Sequence, residues 1–283
     1  DSSTSRGLGD VYKRQVQERQ PKLITTMKKL FLIVAAMFAA VSFSACSDDD
    51  DNGGKAPTPE KWVKQIVFRA EWDESWTSTI TYDSENRVKK INGLRNDSYE
   101  FTYNGNSLTV KGSDINYTCK LNSYGYVTEV TEDNDEKDGA IYYTLEYDKN
   151  GYLQRIEQRY SYNESRKRVS ECTWRDGNLI ESKLTDYYED GTDITTVKYS
   201  YSKTTTPINI DLFYIDGGYI DVLEPLDLLG FYGRQSAKLP NKADITYSGE
   251  SESESDDFGV YTLNGDGTVA RIDCGSVSYE LIY

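Results

Sequence analysis

From about Trp62 to the end of the chain, apolar and polar side chains alternate, and short runs of Asp, Asn, Ser and Gly punctuate the alternation. Over Ala140 to Tyr147, Ile141, Tyr143, Leu145 and Tyr147 oppose Tyr142, Thr144 and Glu146. Over Tyr152 to Tyr160, one face reads Tyr152, Gln154, Ile156, Gln158 and Tyr160, and the other reads Leu153, Arg155, Glu157 and Arg159. A period of two with one face fit for a core and one for water predicts antiparallel β-strands. Between strands one sentence recurs: a strand ending in an aromatic or leucine, a polar turn, then an apolar residue that opens the next strand. Its copies are Tyr82-Asp83-Ser84-Glu85-Asn86-Arg87-Val88, Tyr103-Asn104-Gly105-Asn106-Ser107-Leu108, Leu121-Asn122-Ser123-Tyr124-Gly125-Tyr126-Val127, Tyr147-Asp148-Lys149-Asn150-Gly151-Tyr152-Leu153, Trp174-Arg175-Asp176-Gly177-Asn178-Leu179 and Leu263-Asn264-Gly265-Asp266-Gly267-Thr268-Val269. Gly and Asn suit these positions because tight hairpin turns demand positive φ.

The spacing of the turns fits two strands plus a return connection. The expectation is an all-β fold: an up-and-down antiparallel meander of hairpins forming a large curved sheet or partly open barrel. Tight turns would gather at one edge. The return loops, read as longer and more charged (Thr131 to Gly139, Tyr162 to Lys167 and Tyr188 to Asp193), would gather at the other. The meander breaks at Thr204-Thr205-Thr206-Pro207, and Ile208 to Ile215 reads as a further strand. Tyr219 to Leu229 is apolar without strand alternation, which predicts one short helical or loop insertion near 219–235 that covers an open end of the sheet. Strands resume at Ala243.

Upstream of the meander the pattern changes. Met27-Lys28-Lys29 is a short positive start, Leu30 to Phe43 is apolar, and Ser44-Ala45-Cys46 places small residues before a cysteine. This order is a secretory signal, and its apolar run is too short for a confident membrane span, which takes about 20 residues. Phe43-Ser44-Ala45-Cys46 resembles the bacterial lipobox, which implies acylation of Cys46 as the first mature residue. Ser47, Asp48, Asp49, Asp50 and Asp51 resemble the tag that sends Bacteroidetes lipoproteins to the exterior of the outer membrane. The same acidic run is also a solvated tether. The expected organisation is therefore a leader or artefact over 1–26, a signal over 27–45, an acidic tether and linker over 46–60, and a single β-meander domain over 61–283.

Charge narrows the partners. The 283 residues carry 32 basic and 47 acidic side chains, a net charge of −15. A surface of that sign is unsuited to nucleic acid or to anionic headgroups, so the expected membrane contact is the lipid on Cys46. Histidine is absent, which removes the commonest general base and the commonest zinc ligand. Cys119, Cys172 and Cys274 are widely separated and form no Cys-x-x-Cys, so buried free thiols are expected, with one disulfide as the alternative. No metal and no cofactor is expected.

Motifs for chemistry fail on inspection. Asp133-x-Asp135-x-Lys137-Asp138-Gly139 half matches a calcium loop, but lysine holds a ligand position and no glutamate stands six residues past the glycine. Ser200-Tyr201-Ser202-Lys203 matches Ser-x-x-Lys without its companion motifs. A carboxylate pair for glycoside hydrolysis cannot be singled out among so many acids. The positive hint is aromatic: 24 tyrosines and four tryptophans, with Trp62, Trp72 and Trp76 clustered near the mature N-terminus. Rings stack on the apolar faces of sugars, and neighbouring carboxylates accept hydroxyl hydrogens. The competing reading is that tyrosine serves the sheet itself.

The hairpin sentence is similar to the YD-type repeats of bacterial surface proteins. Together with Leu229-Gly230-Phe231-Tyr232-Gly233 and Leu239-Pro240 behind a lipoprotein signal, it resembles a Bacteroidetes family of uncharacterised surface lipoproteins. That resemblance implies a porin-like β fold and supplies no catalytic residues. The sequence thus leads to a non-catalytic cell-surface lipoprotein, anchored in the outer membrane and facing outward, that binds or scaffolds an extracellular ligand such as glycan. The alternatives are a structural or assembly component of an envelope protein complex and, third, a carboxylate-dependent hydrolase.

Overall fold

The computed structural model describes residues 61–71, 75–113, 115–133, 139–203, 223–249 and 253–283. Cys46, the tag Ser47 to Asp51, Trp72, the strand expected over 208–215 and most of the calcium-like loop lie outside the described residues. Seventeen strands are described: β1 (Gln65–Ala70), β2 (Trp76–Tyr82), β3 (Val88–Leu94), β4 (Asp97–Asn104), β5 (Ser107–Lys111), β6 (Asn116–Leu121), β7 (Val127–Asp133), β8 (Ala140–Tyr147) and β9 (Leu153–Tyr160). The rest are β10 (Asn163–Arg175), β11 (Asn178–Tyr188), β12 (Gly191–Tyr201), β13 (Pro240–Tyr247), β14 (Ser253–Asp257), β15 (Val260–Leu263), β16 (Val269–Asp273) and β17 (Val277–Ile282). All belong to one antiparallel sheet in which each strand pairs with its neighbours in sequence, the step from β14 to β15 excepted, and β17 also pairs with β1. The sheet therefore curls, yet it does not close into a barrel. Among the described residues β14 is bonded to β13 and β15 to β16, and no ladder joins β14 to β15.

The recurring hairpin has a physical explanation in three parts. First comes the turn. Asp83, Asn122 and Asp148 each accept two backbone N–H bonds through Oδ1, from residues two and four positions on, at 2.9–3.0 Å. The fourth turn residue (Asn86, Gly125, Gly151 or Gly267) has φ between 59° and 87°, which is why Asn or Gly stands there. Second comes a β-bulge. Tyr82 pairs with Val88, Leu121 with Val127, Tyr147 with Leu153, Trp174 with Leu179 and Leu263 with Val269, and in each case the register slips by one immediately afterwards.

The bulge moves the next inward position from i+2 to i+3. Val88 and Ile91, Val127 and Val130, Leu153 and Ile156, and Val269 and Ile272 are all buried. This corrects the strict alternation read over Tyr152 to Tyr160: Gln154 is the bulged residue, and Leu153 joins Ile156 on the inner face.

Third comes a side-chain cap. A bulge interrupts the ladder and leaves a carbonyl at the strand start short of a main-chain donor. The aromatic that ends the following hairpin reaches across to it. Tyr103 donates its hydroxyl to Val88 O (3.0 Å), Tyr147 to Val127 O (2.6 Å), Trp174 its indole N–H to Leu153 O (2.6 Å), Tyr201 its hydroxyl to Leu179 O (2.6 Å) and Tyr283 to Val269 O (3.0 Å). Tyr82 and Tyr261 do the same for Val63 and Pro240. The exception supports the rule. The β4–β5 hairpin has no bulge, and the position after it is Leu121, whose backbone N–H pairs normally with Asn106 O at 2.7 Å.

The concave face is packed solid along this frame. Ile66, Ile80, Ile91, Phe101, Leu108 and Ile245 share one cluster with Leu226, Leu228, Leu229 and Phe231 of the insertion. The insertion is a chain of turns without a regular helix among its described residues, so the loop alternative holds. It runs the length of the sheet. Glu224 meets Arg95 at 3.0 Å at the return end, and Phe231 stacks on Phe101 with centroids 5.9 Å apart. The backbone N–H groups of Arg234 and Ala237 then bond Gly151 O and Gly177 O at the tight-turn end. Gly233 passes so near the Gly151 carbonyl that a Cβ would stand 2.5 Å from it, which accounts for the glycine.

The return edge differs from expectation in two places. Tyr188 pairs with Gly191, so Glu189-Asp190 is a two-residue turn between long strands; Tyr160 pairs with Asn163 across Ser161-Tyr162, but the ladder then skips residues 164–166 before Lys167 meets Arg159.

The outer face is mostly polar, with Val169 of β10 and Thr185 of β11 buried on it. It presents Thr77, Thr79, Glu100, Thr102, Thr118, Thr144 and Lys198, with cross-strand ion pairs Lys90–Glu100 and Lys120–Glu129 at 3.0 Å. Such a face suits water, whereas a lipid-facing barrel needs an apolar band. The strand at the gap in the ladder is also protected: β14 reads Ser-Glu-Ser-Asp-Asp, and charge on an edge discourages pairing with another chain.

The cap makes a direct prediction. Tyr147→Phe keeps the ring and leaves the Val127 carbonyl without its hydroxyl donor, so urea unfolding should show a loss of about 1–3 kcal/mol. Tyr124→Phe, at an exposed turn ring, should change stability by less than about 0.5 kcal/mol.

Candidate binding surface

The sheet distributes its tyrosines between two environments, and burial separates them. Tyr117, Tyr147 and Tyr199 are held protonated far above the ordinary phenol range, chiefly by burial. Burial likewise raises Tyr99 and Tyr103, and pushes Tyr283 up to about 12. These rings belong to the core and its caps. Tyr142, Tyr162 and Tyr188 are different: they are 47%, 53% and 41% exposed, and they lie toward the return end of β8–β11.

Strand register sets what surrounds them. Tyr142 pairs with Arg159, Arg159 with Lys167, and Lys167 with Tyr187, so the four side chains form one row across the outer face. The row continues from Tyr142 through Thr131, Thr118, Thr109 and Thr102. With strands about 4.8 Å apart, Tyr142 to Tyr187 spans roughly 14 Å. Lys167 sits over the Tyr187 ring at 4.5 Å, and Arg166 over Tyr160 at 4.9 Å. Tyr160 in turn packs on Tyr162, with centroids 5.4 Å apart. Glu157, one step up β9, accepts from both Arg155 and Arg159. Burial opposes its ionisation, but these two bonds outweigh burial and hold the carboxyl below its usual range.

Two other places carry polar side chains. At the return end of the concave face, burial raises the Glu224 carboxyl, opposed by Arg95. Nearby Asp97 is lowered: burial raises it, and hydrogen bonds from the Ser113 hydroxyl and the Ser98 N–H outweigh that. Opposed shifts in a carboxyl pair are what acid–base chemistry uses. Here, however, Glu224 serves as the insertion's fastening to Arg95. At the tight-turn end a shallow open depression of about 470 Å³ is lined by Lys61, Asn264, Asp266, Thr268, Glu280 and Tyr283. Lys61 and Asp266 are ion-paired across it.

The sequence-picked tryptophans are not brought together as an exposed platform by the described residues. Trp76 stacks on Phe68 at 5.0 Å and packs against the core, Trp62 lies edge-on to Tyr82 at 5.3 Å, and Trp72 is outside the described residues. Cys119, Cys172 and Cys274 are free thiols. Burial pushes the first two up to about 12, which makes them unreactive core residues. Among the described residues no group of three or more His, Cys, Asp or Glu is placed to hold a metal ion. The row on β8–β11 escaped sequence reasoning because it depends on cross-strand register. Its one legible signal is Arg159 to Arg168, a basic stretch in an acidic chain.

No family model matches the chain, and no curated protein does either. Among solved structures, it is similar to a porin-like protein from Bacteroides uniformis ATCC 8492, with a TM-score of 0.56 at 15% identity over 78% of this chain and 97% of that one. At that identity the likeness establishes the fold. A match to the TcdB2-TccC3-Cdc42 complex, TM-score 0.30 and 12% identity over 74% of this chain and 12% of that one, carries no argument.

The buried tyrosines fix the alkaline response. Their folded-state values are raised above the ordinary 10, so the stability they contribute is intact below pH 10. It is lost as pH rises further, because the unfolded chain releases its phenolic protons first. Circular dichroism and tyrosinate absorbance should show unfolding and bulk tyrosine ionisation in one step above pH 10. Gradual ionisation with the β signal retained would contradict this.

Proposed function

We propose that this protein is a non-catalytic, surface-displayed lipoprotein that binds extracellular glycan at the return end of its outer face. The observation that carries the reading is the exposure of Tyr142 beside Arg159 on the outer face and of Tyr162 at the adjoining turn, on a ladder whose buried tyrosines serve caps and core. Flat rings held on strands offer stacking area at little entropic cost, and neighbouring polar groups fix orientation.

The address rests on the lipobox-like Phe43 to Cys46 and the acidic tag after it, and it accords with a porin-like neighbour from a Bacteroides. Lys61, where the described domain begins, is ion-paired with Asp266 at the tight-turn end, opposite the end that carries Tyr142 and Tyr162. One acyl chain holds a membrane marginally, so firm anchoring needs two or more on Cys46. Cys46→Ala should move the protein from the membrane fraction to the soluble fraction.

A glycan array with the full chain tests the binding reading. Specific hits should weaken about tenfold, or 1.4 kcal/mol, when Tyr142 and Tyr162 both become Ala. An array without hits, together with co-purification of a fixed stoichiometric partner from detergent extracts, would instead support an envelope scaffold.

A further inference from the structure

We propose that the ligand is an acidic polysaccharide, a chain bearing carboxylate or sulfate groups, docked along the row Tyr142, Arg159, Lys167 and Tyr187. The inference rests on the glycan reading above and adds the charge class of the ligand. The chain as a whole is strongly acidic, with 47 acidic against 32 basic residues, so a polyanion is repelled by most of its surface. The return end of β9–β10 gathers cations within that acidic background. Arg159, Arg166 and Lys167 stand together there, and among the described residues Glu157 is the one carboxylate bonded to any of the three.

Elsewhere on the outer face, cations are matched by acids across the strands. Lys90 faces Glu100, Lys120 faces Glu129, and Arg155 bonds Glu146 and Glu157. In the docking row two cations face each other instead, Arg159 opposite Lys167. Like charges directly across a ladder are unfavourable by a few tenths to about 1 kcal/mol unless a counter-anion sits between them. The tyrosines at either end of the pair supply stacking for sugar rings, and the row's length is that of an oligosaccharide segment rather than a single sugar. Arginine and lysine together would take a planar carboxylate or a sulfate equally well, the first by a paired fork and the second as a point charge.

The test uses the full chain with polygalacturonate and heparin as acidic probes and dextran as the neutral one, each immobilised. The variant is Arg159→Glu with Lys167→Glu. Its control is Lys64→Glu with Lys89→Glu, an equal charge change at exposed lysines near the tight-turn end. Unfolding curves confirm that both variants fold. The expected result is retention on at least one acidic probe, falling as salt is raised. Retention should also weaken more than about tenfold in the row variant and stay unchanged in the control.

Retention on dextran that needs Tyr142 and Tyr162 but ignores the charge reversal would overturn the acidic-ligand inference and leave the glycan reading standing. Loss of binding to every glycan by the unaltered chain would overturn both. Equal weakening by the two charge reversals, or equal retention on phosphatidylglycerol vesicles or single-stranded DNA, would reduce the row to a non-specific anion contact and overturn the inference.

Discussion

The donation of an aromatic side chain's hydrogen to a backbone carbonyl at the start of a neighbouring strand is the interaction on which this sheet depends. Each bulge turns the chain and tightens the curl of the sheet, at the cost of a break in the ladder. A carbonyl left unpaired in a partly buried position costs about 1–3 kcal/mol, and the described hairpins would present several such breaks at once. The ring that ends the next hairpin repairs each one, so curvature and hydrogen-bond satisfaction are supplied by the same residue. Tyr103, Tyr147, Trp174, Tyr201 and Tyr283 all act in this way. Leu121 can be leucine because the hairpin before it has no bulge to repair. The requirement is for a rigid side chain with a donor at its tip, which is why tryptophan substitutes for tyrosine at position 174.

Curvature alone would leave a trough. The insertion fills it from end to end, anchored by Glu224 to Arg95 at one limit and by backbone bonds to the turns at Gly151 and Gly177 at the other. Leu226, Leu228, Leu229 and Phe231 provide the apolar volume that the inward faces of so many strands need. A porin-like arrangement of strands therefore has a packed interior and a mostly polar exterior, the reverse of a water-filled barrel in lipid. Exposed side chains are left to the outer surface and to the ends of the strands.

Much of this was legible in the chain. The turn residues and the aromatic-turn-apolar sentence marked the hairpins, and the break after Thr204 marked the insertion. Three things were not. The bulges follow a fixed rule, but their trace in the sequence is an i, i+3 spacing such as Val127 and Val130, and a period-of-two reading passes over it; Leu153 was assigned to the wrong face for that reason. The tyrosine caps join residues about 14 to 22 positions apart, too far for any local pattern. The pairing of β1 with β17 joins the two ends of the domain. The candidate surface was missed for a related reason. Trp62 and Trp76 were prominent as a cluster in sequence, whereas Tyr142, Arg159, Lys167 and Tyr187 become neighbours only once four strands are in register.

The same caps bear on the binding row proposed for the outer surface. A convex sheet that flexed would change the spacing between strands and blur any array of side chains built across them. Here β8 and β10 are tied to their neighbours twice, by the ladder and by Tyr147 to Val127 and Trp174 to Leu153 at their turn ends. Tyr142 and Lys167 stand on these two strands, with Arg159 on β9 between them. A side-chain array on strands fixed in this way meets a ligand with little ordering left to do, so binding loses less conformational entropy. The residues that let the sheet curve thus also hold its outer face to a fixed spacing, and the tyrosines divide into those that make the frame and those the frame displays.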